Sequence, residues 1–359
     1  MTKARDIIVR LYNNIFVFSA VFFAGLGIAI YILMGKGAAS MLSEQMLHRE
    51  QVITRSGASA IQNFLVIYGN SVSLTAQNDL IVSKNLKEPE TILKKLVESF
   101  KGTPVSGFLL VDENGKAVLN LNISGQGLLS AESLEDRDYF IWSKTAKSGE
   151  VFLGKPVISR LGASKGKMIV PVSSPIFRAG KYAGVLTSAV VLSDLTSGFL
   201  NPLKISEKSE VYLIGNDGAI IYSDRFQEPV GKNVFTYLGD NSFLGSKYIK
   251  SEVQKALEGK KEGKARVVYP IFDQSGKFLE RLVAYAPINL GNGQFWYLAV
   301  STPIKDALIF MAPFYTRQII LTILIFIAIL IYSVRFSRTV GFREGHNLYH
   351  KENKPQNGA

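Results

Sequence analysis

The side chains best equipped for chemistry cluster at Glu135-Asp136-Arg137-Asp138-Tyr139-Phe140. A guanidinium there offers paired planar donors that match a carboxylate. The acids around it supply hard oxygen ligands for a cation, or else they solvate a helix start. Arg137 itself either grips an anion or pairs with Glu135, Asp136 or Asp138. Elsewhere the inventory is thin. The 359 residues contain no Cys, and the 3 His are His48, His346 and His350. Thiolate nucleophiles, disulfides and thiolate metal sites are excluded, and the body of the chain lacks the imidazoles of a triad or a zinc site. No Gly-rich phosphate loop of familiar spacing occurs. The residues point to binding without catalysis, metal or cofactor.

Any such site must be held by the elements around it, and the first of these are apolar. Hydrophobic residues make up 47% of the chain and charged residues only 19%, with mean hydropathy +0.16. Ile15 to Met34 carries no charge, long enough in a helix to span a bilayer, and Lys3, Arg5 and Arg10 precede it. A cleaved signal peptide is the alternative, but its apolar core is shorter, ~7–15 residues. A second run, Ile319 to Val334, lies between Arg317 and Arg335 and is followed by Arg338 and Arg343. Two membrane helices, 14–35 and 316–335, are therefore expected, with the ends 1–13 and 336–359 in the cytoplasm. The formal charge of +12 is then largely topological, so the partner is a membrane rather than nucleic acid.

Between the runs the patterning predicts a long helix over 36–88, with Met46, Ile53, Ala60, Ile67 and Leu74 at seven-residue intervals and Ile61, Phe64, Leu65, Tyr68 and Val72 beside them. It serves either to pack on its own domain or as a stalk pairing with a second copy. An amphipathic helix follows Pro89, with Ile92, Leu93, Leu96, Val97 and Phe100 on one face. Residues 107–119 then read as a hairpin turning at Asn114-Gly115. Residues 133–149 read as helix, and three strands follow, the first over 150–159. The order recurs from Glu210: a hairpin turning at Asp217-Gly218, a helix, then three strands, with turns at Ser275-Gly276 and Asn292-Gly293. Pro175 in SSPIF corresponds to Pro287 in YAPIN. Two modules, 89–195 and 196–315, are expected, joined through the segment Leu192 to Ser209.

This order resembles the double Cache sensor ectodomain of bacterial chemoreceptors, histidine kinases and diguanylate cyclases. The residues that carry the likeness are DRDYF at 136–140, PVSSPIFRAGKYAGVL at 171–186, NDGAIIYSD at 216–224, VAYAPI from 283 and FWYLAVSTP to 303. The resemblance implies an α+β fold, a long N-terminal helix plus two PAS-like antiparallel-sheet modules, flanked by two transmembrane helices. It also implies a ligand in the membrane-distal module, 89–195, with 196–315 next to the membrane. Arg137 matches the arginine that grips a ligand carboxylate in amino-acid-binding members. Tyr139 stands where those members have Trp, and Phe140 where they have Tyr. Val157 and Ser159 replace a Tyr and an Asp, and Ala189 falls where an Asp would hold the ligand ammonium. An α-ammonium would there be desolvated unpaired. The expected ligand is a small anionic or neutral molecule, a carboxylate rather than an α-amino acid, met also by nearby Lys155 and Arg160.

After Val334 the chain has no segment that reads as an output domain. A sensor of this kind would signal through a homodimer or a separate membrane partner, with Ala24, Gly25, Gly27 and Ala29 at the helix contact. The competing class is a non-signalling binding or scaffold module, or a receptor lacking its output. The expected location is the bacterial inner membrane, with the sensor region outside.

Overall fold

The computed structural model describes residues 2–335, apart from 84, 128, 130–132, 225–229, 237–245, 271–277, 292, 308, 310–312, 330 and 333–334. The chain divides into two compact units, Met46–Asp306 and the flanking segments Met1–Gln45 with Ala307–Ala359.

Helix α1 runs from Thr2 to Ala76 and ends earlier than the expected 88. Asn78 stops it, its Oδ1 accepting from the Leu80 amide at 2.9 Å. The buried face within Met46–Asp306 is Glu50, Thr54, Ala58, Ile61, Leu65, Tyr68, Val72 and Ala76. The seven-residue column is therefore corrected: Met46 is buried, but Ile67 and Leu74 are 67% and 71% exposed. A straight helix has 3.6 residues per turn, so a strict heptad column drifts by about 20° per repeat and rotates off the packed face. Helix α2, Lys87–Ser99, buries Leu93, with Ile92, Leu96 and Val97 packed beside it as its periodicity predicts.

The first module is a seven-stranded antiparallel sheet. It is built from β1 (Val105–Asp112), β2 (Ala117–Asn122), β3 (Gly125–Gln126), β4 (Phe152–Leu153), β5 (Val157–Ile158), β6 (Met168–Arg178) and β7 (Lys181–Val191). Its order is β3-β2-β1-β7-β6-β4, with β5 also on β6. The strand expected over 150–159 is split, because Pro156 lacks the N–H that a continuous ladder would need. The helix expected over 133–149 contracts to α3, Asp138–Ser143, because Arg137 is extended at ψ 133° and the Leu134 amide is held by the Gly115 carbonyl at 2.9 Å. The β6–β7 turn places Ala179 and Gly180 at φ +50° and +77°, the paired positive values of a two-residue hairpin.

Helix α4 (Leu192–Leu200) leads into the second module, so the joining segment is largely helical. There β8 (Glu210–Gly215), β9 (Ile220–Ser223), β10 (Gly263–Pro270), β11 (Phe278–Gly291) and β12 (Gln294–Pro303) line up as β10-β11-β12-β8-β9, with α5 (Ser246–Gly259) after β9. This is the first sheet's β6-β7-β1-β2 order plus one outer strand, so the repeat is a fold repeat. Pro175 on β6 and Pro287 on β11 occupy equivalent strands, opposite Val185 and Tyr297. The turn expected at Ser275-Gly276 lies outside the described residues, as does 336–359.

In the flanking unit a second helix covers 313–329 and exposes Ile319, Ile320, Leu321, Ile323, Leu324, Ile325, Phe326 and Ile327. Among the described residues no helix is long and apolar enough to cross a membrane. Most side chains of 2–24 are outside them. A Cβ on Gly27 would sit 3.8 Å from Thr322, and Tyr315 donates to the Gly35 carbonyl at 3.2 Å. Gly27 thus approaches the chain's own second helix, whereas Gly25 meets nothing and Ala29 is exposed.

Packing depth separates the two columns of α1. Ile61→Ala should cost about 2–5 kcal/mol in denaturant unfolding, and Ile67→Ala within about 0.5 kcal/mol. Equal costs would contradict the observed helix rotation.

Candidate functional site

Strand alternation creates the site. On β7, Leu186, Ser188 and Val190 turn toward α1, which sends Thr187 and Ala189 to the opposite face. On β2, Leu119 and Leu121 join the α1 core, and Asn120 and Asn122 point the other way. A cleft forms over that second face, roofed by the start of α3 and the segment 157–164. Its empty space, counting the opening to solvent, is about 560 Å³.

Arg137 precedes α3 and donates from Nη2 to the Ile158 carbonyl at 3.2 Å. Among the described residues it has no carboxylate partner; Asp136 is taken by Arg160 through two hydrogen bonds of 3.0 and 2.7 Å. That pair holds the Asp136 carboxyl below the ordinary carboxylate range. Tyr139 lines the cleft, and burial pushes its hydroxyl up to about 12. Val157 and Ala189 are half-buried on the wall. Ser159 is buried, donating to the Leu161 carbonyl at 2.9 Å and accepting from Ser164 at 3.0 Å. Five of the six expected site residues are thus brought together.

Phe140 is not. It is fully buried with Val111, Ala117, Leu134 and Val185, apart from the cleft lining. Successive residues of a helix point about 100° apart, so Tyr139 facing the cleft sends Phe140 into the core. Lys155 lies outside this cleft but beside it, lining a smaller neighbouring one with Arg137 and Tyr139, and it pairs with Asp217 of the second module at 3.7 Å.

Asn120 and Asn122 are the residues that the sequence reading missed. Both are buried, and Asn122 donates from Nδ2 to Asn120 Oδ1 at 3.4 Å. Asn120 Nδ2 meets no partner among the described residues. A buried amide left unpaired costs about 1–3 kcal/mol, so it marks a place for an acceptor. The signal was the alternating Leu119-Asn120-Leu121-Asn122, whose polar set faces away from the core. Gly127 closes over it, since a Cβ there would lie 2.5 Å from Asn120 Nδ2. Among the described residues no three acidic or imidazole side chains converge as a metal site would need.

The architecture is thus an α1 spine on two like antiparallel sheets, with a donor-lined cleft in the first. The Cache domain family model matches residues 38–309, and the chain belongs to that family. No curated protein sequence matches. Among solved structures, the ligand-binding domain of the Pseudomonas aeruginosa PAO1 amino-acid chemoreceptor PctB, in complex with L-Arg, is 18% identical. It aligns over 76% of this chain and 93% of its own, with TM-score 0.54. The ligand-binding domain of the Pseudomonas fluorescens chemoreceptor CtaA with L-serine is 17% identical over 73% and 99%, TM-score 0.52. Methyl-accepting chemotaxis protein X is 14% identical over 73% and 99%, TM-score 0.55. These likenesses establish the fold, and Cache domains are sensor domains rather than enzymes.

Two neighbours at the start of α3, Phe140 and Arg137, should separate in a urea titration. Phe140→Ala is expected to lose about 3–5 kcal/mol. Arg137→Ala, partly exposed and without an ion-pair partner, should stay within about 0.5 kcal/mol.

Proposed function

We propose that the protein is a membrane-anchored extracytoplasmic sensor that binds a small anionic or neutral molecule in the first-module cleft. The observation that carries this is the unspent Nδ2 of buried Asn120 in a cleft that also holds Arg137. Both are donors, and a carboxylate supplies acceptors for both. Among the described lining residues of the cleft there is no acid to receive an ammonium. The amino acids named for PctB and CtaA would leave that charge buried and unpaired here. A small carboxylate without an α-ammonium fits better. Arg137, Tyr139, Val157, Ser159 and Ala189 line its site, and Phe140 supports Tyr139 from behind.

Anchoring is supported by the uncharged run Ile15–Met34 within α1 and by the apolar surface that 313–329 leaves exposed. The approach of Gly27 to Thr322 supports pairing of the two apolar helices within one chain. A signal then leaves as a shift of that pair, read by a second copy or a separate membrane partner.

A thermal-shift screen of the full chain in detergent tests the ligand class, since ligand binding to the native state raises its melting temperature. A small carboxylate should raise it, and Arg137→Ala should weaken that ligand about 10- to 100-fold. Micromolar calorimetric binding of a zwitterionic amino acid would contradict the reading. Topology has its own test: protease added outside spheroplasts should digest 36–315 and spare both ends. A cut C-terminal tail would overturn the two-span arrangement.

A further inference from the structure

The second module buries a charge cluster that the ligand cleft does not use. Glu210 on β8, Arg281 on β11 and Glu50 on α1 are each at most 1% exposed. Arg281 commits its guanidinium to Glu210 at 3.1 Å, to Ser301 Oγ and the Ser301 carbonyl at 2.9 Å each, and to the Lys208 carbonyl at 3.2 Å. Glu210 accepts further from the Tyr212 hydroxyl at 2.9 Å. Glu50 receives much less. Thr302 on β12 donates to its Oε1 at 2.5 Å, and Oε2 has no partner among the described residues. Ser209 lies 2.8 Å from Thr302 Oγ1. Because the single Thr302 proton goes to Glu50, the Ser209 hydroxyl donates to Thr302. One guanidinium thus faces two carboxyls, and it is spent on Glu210. Of the other charged groups nearby, Lys208 pairs with Asp306 at 3.2 Å, and Asp224, which accepts from the Val211 amide at 2.8 Å, pairs with Lys204.

We propose that the Glu50 carboxyl is a proton-binding site and a second input of the protein, its ionisation loosening α1 from the second module. Held as the neutral acid, Glu50 leaves a cluster of balanced charge. On ionisation Oε2 gives its proton to a solvent base, and a bare carboxylate oxygen is left buried with no donor among the described residues. Thr302, at the end of β12, and Glu50, on α1, are then the contact that yields. Burial pushes Glu50 from the ordinary 4.5 up to about 8, against the lowering effects of the Thr302 hydrogen bond and of Arg281. The stability from this group is fully present below about 4.5, declines as pH rises, and is lost once pH passes about 8.

The test uses the full chain in detergent, wild type beside Glu50→Gln, with proton as the only ligand. Infrared difference spectra of the wild type should show a protonated carboxyl band near neutral pH that disappears by about pH 9.5, and E50Q should lack it. The melting temperature of the wild type should fall between about pH 4.5 and pH 8 more steeply than that of E50Q, which should match it at the acid end. Absence of the band at neutral pH in the wild type would overturn the proposal, whatever the variant does. So would E50Q with an unchanged pH slope, or with a loss at every pH, because the carboxylate would then be acting as an ionised partner of Arg281. None of these outcomes depends on the first-module cleft or its ligand.

Discussion

Tyr68, fully buried on α1, donates its hydroxyl to Ser188 Oγ, and Ser188 donates to the Gly107 carbonyl at 2.7 Å. Ser188 has one proton and spends it on β1, so the direction of the whole relay is fixed. The Tyr68 ring meets Phe64, Phe100 and Phe108 at centroid distances of 5.8, 4.9 and 6.2 Å. One side chain therefore fixes the rotation of α1, seats α2 and closes the inner face of the first sheet. With that face sealed, strand alternation leaves Asn120, Thr187 and Ala189 to form the cleft on the other. The cleft exists because the core is elsewhere.

The same helix carries the second module. One apolar cluster runs from Ile61 and Leu65 through Val172 and Leu186 into Leu213, Ile288 and Leu298 of the second sheet. Polar ties follow the same line: Gln62 accepts from the Asn289 amide at 2.8 Å, and Arg55 pairs with Glu262. Nearer its start, Glu50 meets the second sheet among charges rather than apolar groups. Helix α1 thus meets the two modules by contacts of two kinds. The apolar ones are indifferent to pH, and the Glu50 contact is not.

Features written in short stretches were legible from the sequence. Asn114-Gly115 and Asp217-Gly218 lie in turns as read, but only the glycines take positive φ, +77° at Gly115 and +80° at Gly218. The paired prolines 175 and 287 located the repeat because each sits on a long strand next to the last one of its module. What escaped depended on tertiary context. The heptad column ignored helix drift, and Phe140 was assigned by motif position where a helix of six residues decided its direction. Asn120 and Glu50 drew no reading: the alternation at 119–122 says only that Asn120 leaves the core face, and nothing local reveals that a loop roofs it or that a neighbouring sheet buries Glu50.

A side-chain amide resonance tests the central claim most directly. With nitrogen-15 labelling, the Asn120 amide should move as a small carboxylate saturates the protein, since its free Nδ2 gains an acceptor. The exposed Asn114 amide in the hairpin turn should stay in place. Saturation that leaves Asn120 unmoved would contradict the assignment of the cleft as the ligand site.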